Sequence, residues 1–178
     1  MSEPKPFFPV KLVCGIMSTD TRYFEYAQEK LSELFGPIDL KSPSREFDPT
    51  DYYEKEMGPG LKRVFLSVER LIRPDDLSEI KLKTNALEDS IRAQFRSESR
   101  IVNLDPGYLT AAALIMATAK DFSHRVPLQH GIYAHLEFLF HKNGIQPLPW
   151  TYPDLRGDRY GAFFLEARRI YSAQLQKR

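Results

Sequence analysis

A single cysteine, Cys14, in 178 residues leaves no internal disulfide to form and no thiolate cluster to hold a metal. No apolar run comes near the roughly 20 residues that a membrane span needs. The opening Met1-Ser2-Glu3-Pro4-Lys5-Pro6 lacks a charged stretch followed by an apolar one, so no secretory leader is expected. There is no excess of charge of one sign either. With 25 Lys and Arg against 24 Asp and Glu, the net charge of +1 supplies no field that would draw the chain to nucleic acid or an anionic membrane. The nine glycines never fall into G-x-x-x-x-G-K-[ST] or into G-x-G-x-x-G at a strand–helix turn, which argues against a P-loop NTPase and a Rossmann enzyme. A G-x-S-x-G nucleophile elbow is also missing. His124, His130, His135 and His141 lie six, five and six residues apart, so neither an H-x-x-x-H helix pair nor an H-x-H strand pair exists, and no metal site is assigned. The expectation is a cytoplasmic chain with no membrane association, and its cofactor, if any, is unknown from these residues.

What is present is ordinary globular material: 42% hydrophobic and 28% charged residues, enough to bury a core. The length fits one domain, residues 1–178. Charge is unevenly spread. Residues 1–60 carry 7 Lys/Arg against 11 Asp/Glu (−4), whereas 61–178 carry 18 against 13 (+5). That asymmetry reads either as fluctuation over solvated faces or as a basic cleft built by the second part of the chain.

Val10 to Met17 has the length and apolarity of a strand, with Cys14 a small hydrophobe inside it. Ser18-Thr19-Asp20 supplies an N-cap for a helix on which Phe24, Ala27, Leu31 and Leu34 recur, ended by Gly36-Pro37. Ile38 to Ser42 alternates as a second strand, and residues 43–61, rich in Pro and Gly, form a loop or flap. Val64, Leu66 and Val68 alternate with Arg63, Phe65, Ser67 and Glu69 in a half-buried strand, with Arg63 and Glu69 paired on its polar face. Pro74-Asp75-Asp76 opens a helix whose inner face is Leu77, Ile80, Thr84, Leu87, Ile91 and Phe95. Arg100 to Leu104 is a short strand, and Asp105-Pro106-Gly107-Tyr108 reads as a type II turn. The order β-α-β-β-α-β is that of a ferredoxin-like fold, so the fold class is α+β. On this reading 1–104 is the βαββαβ part, and 105–178 extends it with a β-hairpin region and a final helix.

Within that extension Ala111–Ala119 suits either helix or strand, with strand preferred from its context. Val126–Leu128 and Ile132–Phe140 flank a hairpin turn at Gln129-His130-Gly131. Along the longer strand Ile132, Ala134, Leu136, Phe138 and Phe140 share one face, and Tyr133, His135 and Glu137 the other. Residues 141–157 are a loop carrying Trp150, Tyr152 and Asp154. A helix from about Asp158 to Gln176 packs through Phe164, Ala167, Ile170 and Tyr171.

Polar residues crowd into the turn-rich stretches. Asn103 and Asp105 stand beside the 105–108 turn, either capping its backbone or held there for chemistry. Lys120-Asp121-Phe122-Ser123-His124-Arg125 offers two cations and an imidazole, a group suited to phosphate or carboxylate, with Arg125 giving planar bidentate contacts. Tyr133, His135 and Glu137 add acid/base groups if their strand face lines a cleft.

Phe35-Gly36-Pro37-Ile38-Asp39, Tyr52 to Gly58, Thr84 to Glu88, Asn103 to Tyr108, Lys120 to Arg125 with Gly131 to Ala134, and Pro149 to Asp154 together resemble domain-of-unknown-function family 4416, found in bacteria and archaea. The likeness runs along nearly the whole chain. It implies no activity. Members are sometimes labelled GTP-binding, and the phosphate loop that would support the label is missing here. The family pattern places Glu where this chain has His135.

The favoured expectation is a small-molecule binding or enzymatic domain for an anionic metabolite or nucleotide. Arg63, Lys120 and Arg125 would hold the anion, with Asn103 beside them. His124, Asp105 and Glu137 would do acid/base work, and Tyr108 and Tyr133 would pack on the organic moiety. The alternative is a non-catalytic interaction protein, a homodimer or an adaptor, suggested by twelve Phe, nine Tyr and Trp150. RNA binding is disfavoured by the neutral charge and the missing RNP string.

Overall fold

The structure, a computed structural model, describes residues 3–47, 54–142 and 144–177. Residues 48–53, in the middle of the expected 43–61 loop and including Tyr52 and Tyr53, lie outside the described residues, as does Asn143.

Chain order is β1 (Val10–Ser18), α1 (Thr21–Phe35), β2 (Ile38–Lys41), β3 (Arg45–Glu46), a one-turn α2 (Glu54–Met57), β4 (Lys62–Ile72) and α3 (Leu77–Gln94). It continues with β5 (Asn103–Leu109), β6 (Ala113–Thr118), β7 (Val126–Pro127), β8 (Tyr133–His141), β9 (Gly144–Pro147) and α4 (Gly161–Gln176). All nine strands join one antiparallel sheet ordered β2-β4-β1-β5-β6-β8-β7, with β3 on β4 and β9 on β8. The fold is α+β. The β-rich second part continues the sheet of the first instead of forming a separate layer.

β1 is buried on both faces, as its unbroken apolar run requires. Its Leu12, Cys14 and Ile16 meet α1 and α3 through Phe24, Leu31, Ile80 and Ile91. Val13, on the opposite face, joins Phe65, Phe138, Phe164 and Ala167 beneath α4. β4 therefore buries Phe65 as fully as Val64 and Leu66, so it is not the half-exposed strand its alternation suggested. α1 starts where Asp20 Oδ1 accepts the Arg22 N–H at 2.8 Å, and ends at Gly36 with φ 106°. Leu34 is exposed and Phe35 takes the inward place. Lys11 is fully buried on the α4 face, where its ammonium donates to Asp39 and to Gln174 Oε1. Among the described residues no helix is long and apolar enough to cross a membrane.

Ala113–Thr118 is a strand, and the hairpin turns through His130 (φ 59°) and Gly131 (φ 71°). β9 lies within the stretch expected to be loop. Two further differences bear on function. Pro106-Gly107 is no turn but the middle of β5, paired with Cys14 and Val13 of β1. Gly107 is there because β6 passes close: a Cβ would lie 2.5 Å from the Ile115 carbonyl oxygen and nearer still to Met116 Sδ. The face alternation expected for β8 also breaks. Leu114 pairs with Phe138 and Ile115 with Leu136, so Glu137 is the extra residue of a β-bulge. Past the bulge Phe138 and Phe140 fall on the face that His135 already occupies, under α4.

Gly107→Ala is expected to cost about 1–3 kcal/mol through overpacking against backbone. Gly157→Ala, with nothing within 4 Å of its added carbon, should be close to neutral. Urea unfolding of the two variants measures the contrast.

Candidate functional site

β5 and β6 pair only over Gly107–Leu109 and Leu114–Met116. Below Gly107, β5 stays with β1, whereas Ala117 and Thr118 stay with β8. The sheet therefore divides, and the β6-facing edge of β5 loses its backbone partners. Two side chains of α3 replace them. Glu88 Oε1 accepts the Leu104 N–H at 2.6 Å, and Lys81 Nζ donates to the Leu104 carbonyl at 2.8 Å. Pro106, two residues on and facing the same edge by strand alternation, has no N–H to satisfy, so proline costs nothing there.

A cavity of about 430 Å³ occupies the division, within the range of small-molecule sites. One wall is β5, β1 and β4 through Asn103, Asp105, Met17 and Arg63; another is β6 and β8 through Met116, Thr118, His135 and Glu137. Lys81 and Asn85 of α3 reach in, Tyr152 and Asp154 come from the chain after β9, and Lys120 lies at the exposed end of β6.

Arg63 is 5% exposed and bridges two carboxylates, Asp154 at 2.8 Å and Asp105 at 3.1 Å. Burial alone would lower its pKa, but Asp154 and Asp105 outweigh it and hold the guanidinium protonated. Asn103 Nδ2 donates to Asp105 Oδ2 at 2.8 Å and receives Arg100, which also pairs with Glu88 at 2.5 Å. Lys81 stands 3.9 Å from Asp105 Oδ1. Burial pushes the Glu88 carboxyl above its ordinary value despite Arg100 and Lys81. Gly15 leaves room for Arg63, whose Nη2 would lie 3.0 Å from an added Cβ.

The bulge organises the opposite wall. The outer edge of β8 is paired to β7 at 133–134 and to β9 at 138–141, which leaves 135–137 without a strand. The 148–155 loop fills the gap. Trp150 Nε1 donates to the Leu136 carbonyl at 2.7 Å, Thr151 Oγ1 to the Glu137 carbonyl, and the Tyr152 N–H to Glu137 Oε1 at 2.5 Å. Asp154 then reaches Arg63. Behind this wall Arg125 Nε donates to His135 Nδ1 at 3.1 Å and Nη2 to the Tyr152 hydroxyl at 3.0 Å. Tyr152 stacks on His135, and Trp150 on His124.

Arg63, Asn103, Asp105, Lys120 and Glu137, named from sequence, are brought to one cavity. His124 and Arg125 sit behind it, against His135. Arg63 pairs with Asp154 and Asp105, and no ion pair joins it to Glu69 among the described residues. Tyr108 lies among Leu77, Ala117 and Ile132 on the α3 face, and Tyr133 does not line the cavity. His135, read from sequence as a candidate acid/base group, lines the cavity, whereas Lys81, Tyr152 and Asp154 were missed as site residues. Lys81 carried a signal: it falls beside Ile80 and Thr84 on the inward face of an amphipathic helix.

Three buried atoms on side chains that line the cavity have no hydrogen-bond partner among the described residues: Arg63 Nε, His135 Nε2 and Glu137 Oε2. The last two are 3.2 Å apart but off line for a hydrogen bond. Among the described residues no group of three or more His, Cys, Asp or Glu is arranged to hold a metal ion.

An α+β domain with a charged cavity where its antiparallel sheet divides is the class that fold and site define. The chain belongs to the domain of unknown function family DUF4416, whose model matches residues 8–171. Neither a curated protein nor a solved structure matches it.

Glu88→Ala should destabilise by about 1–3 kcal/mol, because the Leu104 N–H is left buried and unpaired; Glu88→Gln, which keeps the acceptor, should cost less in urea unfolding. Tyr160, which donates to the Arg63 carbonyl at 3.2 Å, gives a pH dependence. Burial raises its phenol from 10.0 to about 12, so folding favours the protonated form. Its contribution is intact below pH 10.0 and falls as pH rises toward about 12, where the unfolded chain ionises first. Tyr160→Phe should flatten that part of the stability–pH curve.

Proposed function

We propose that the chain is a small-molecule binding or enzymatic domain and that its ligand, a compact organic anion or nucleotide, sits where β5 and β6 part. The reading rests above all on one observation: three side chains that line a single cavity each hold a buried hydrogen-bonding atom with no partner among the described residues. Leaving one such group unmade costs about 1–3 kcal/mol, and a bound polar molecule would recover it. Anionic character is supported by the surplus of donors. Arg63, Lys81, Arg100 and Lys120 face Asp105, Glu137 and Asp154, four cations against three carboxylates. Lys81 spends one of its three protons on the Leu104 carbonyl at 2.8 Å. Of the three residues expected to hold the anion, Arg63 and Arg125 are committed to protein partners; Lys120 keeps that role in this reading and Lys81 joins it.

A second reading, an interaction protein that pairs with itself or with an adaptor, draws on exposed apolar side chains near the same end: Phe122, Val126 and Trp150. Within the fold, the β2-β4-β1-β5 portion with α1 and α3 packed on one face is read as a ferredoxin-like unit that β6 to β9 extend.

Thermal shift against carboxylic acids, sugar phosphates and nucleotides tests the favoured reading. A ligand at 100 times its Kd should add about 2.7 kcal/mol. Lys120→Ala, at an exposed site, should weaken binding about tenfold, as loss of about 1.4 kcal/mol does. No shift from any anion would rule the reading out. A dimer by light scattering that Trp150→Ala dissociates would favour the second.

A further inference from the structure

We propose that His135 serves the cavity as a neutral N–H donor rather than as a base, and that Arg125 is the positioning residue that holds it so. Arg125 lines no part of the cavity, yet its Nε lies 3.1 Å from His135 Nδ1. A guanidinium has donors only and does not give up its proton in a protein. Nδ1 is therefore the acceptor, and a neutral imidazole that accepts at Nδ1 carries its proton on Nε2. His124 Nε2 also stands 3.3 Å from Nδ1. Desolvation, with the Arg125 guanidinium beside it, lowers the pKa of His124.

His135 Nε2 lies 3.2 Å from Glu137 Oε2 but off line for a hydrogen bond, which leaves its proton without an acceptor among the described residues. Every other neighbour is consistent with a ring fixed in place. Tyr152 stacks on it at 5.3 Å between centroids and 22°, while His124 meets it edge-on at 4.9 Å and 80°. Tyr152 is itself tied to Arg125 through its hydroxyl. One guanidinium thus sets both the tautomer and the packing of the imidazole.

The consequence deepens the ligand reading on which it rests. A neutral N–H donor next to a carboxylate presents two unlike groups side by side. The donor receives a carbonyl or carboxylate oxygen of the ligand, and Glu137 is left as the group able to accept a proton from it. With His135 as a base these roles would be exchanged. The class of ligand is then an organic acid that brings an accepting oxygen to this end of the cavity.

The measurement is made on the whole unliganded chain, by long-range proton–nitrogen correlation from the ring carbons of His135 at neutral pH. Wild type should show one species, protonated at Nε2 alone. In Arg125→Ala the Nδ1 position should become protonated in part of the population, because nothing cationic then opposes Glu137. Arg125→Lys, which restores a cationic donor, should bring the single species back. A wild-type ring protonated at Nδ1, or a pattern unchanged in Arg125→Ala, would overturn the proposal. Should Arg125→Ala fail to fold, the wild-type spectrum alone decides, since only Nε2 protonation is compatible. A blank thermal-shift screen beside the expected spectrum would remove the ligand and leave the tautomer assignment. A hit beside the wrong tautomer would do the reverse.

Discussion

Backbone polar groups cannot be left unpaired inside a protein, and the parting of β5 from β6 confronts the fold with that constraint directly. Where the strands separate, Leu104 has a buried N–H and a buried carbonyl with no strand opposite. Glu88 and Lys81, one helical turn-pair apart on α3, supply both partners. Pro106 removes the next donor that would have needed one. The division is thereby stable, and because it is stable it can stay open as a cavity. α3 does two jobs with one face: its apolar residues pack on the sheet while its charged ones stitch the sheet's edge.

The second wall follows the same logic with different parts. The bulge at Glu137 turns that side chain and leaves the outer edge of β8 unpaired for three residues. The 148–155 loop closes that gap with an indole N–H, a hydroxyl and a backbone N–H. Asp154, carried on the same loop, meets Arg63 across the cavity, so the two walls are joined by a buried ion pair. Such a pair is weak evidence of stability, since desolvation offsets much of its attraction. Its clearer effect is geometric. Removing one member would strand the other charge, and the walls are registered against each other by that penalty.

Much of this was legible in the sequence wherever periodicity carried the information. The inward face of α1 up to Leu31, that of α3, the apolar run of β1 and the His130-Gly131 hairpin follow from spacing and turn chemistry alone. The failures share one physical cause: they depend on what lies opposite. Pro106-Gly107 has the composition of a turn, and only the passage of Met116 explains why glycine is needed in a strand. The β8 faces were assigned by strict alternation, which a single bulged residue resets. Lys81 and Lys11 were passed over because a lysine in an element is ordinarily solvated, whereas these two are 6% and 0% exposed. Their partners, Leu104, Asp39 and Gln174, are distant in sequence. Local pattern cannot see them.

The two imidazoles sharpen that point about chemistry. Lys120 to Arg125 was read as a group that binds an anion directly, and its charges do lie near the cavity. Three-dimensional placement instead turns Arg125 inward, where it donates to His135 and Tyr152 of the protein. A guanidinium used this way does not add to the positive charge that a ligand meets. The lysines of the cavity, Lys81 and Lys120, stand at different depths, one buried against β5 and one exposed past the end of β6. Charged groups of both signs thus line the cavity at different depths, and under the proposed reading a ligand would carry its negative charge toward the lysines and an accepting oxygen toward His135.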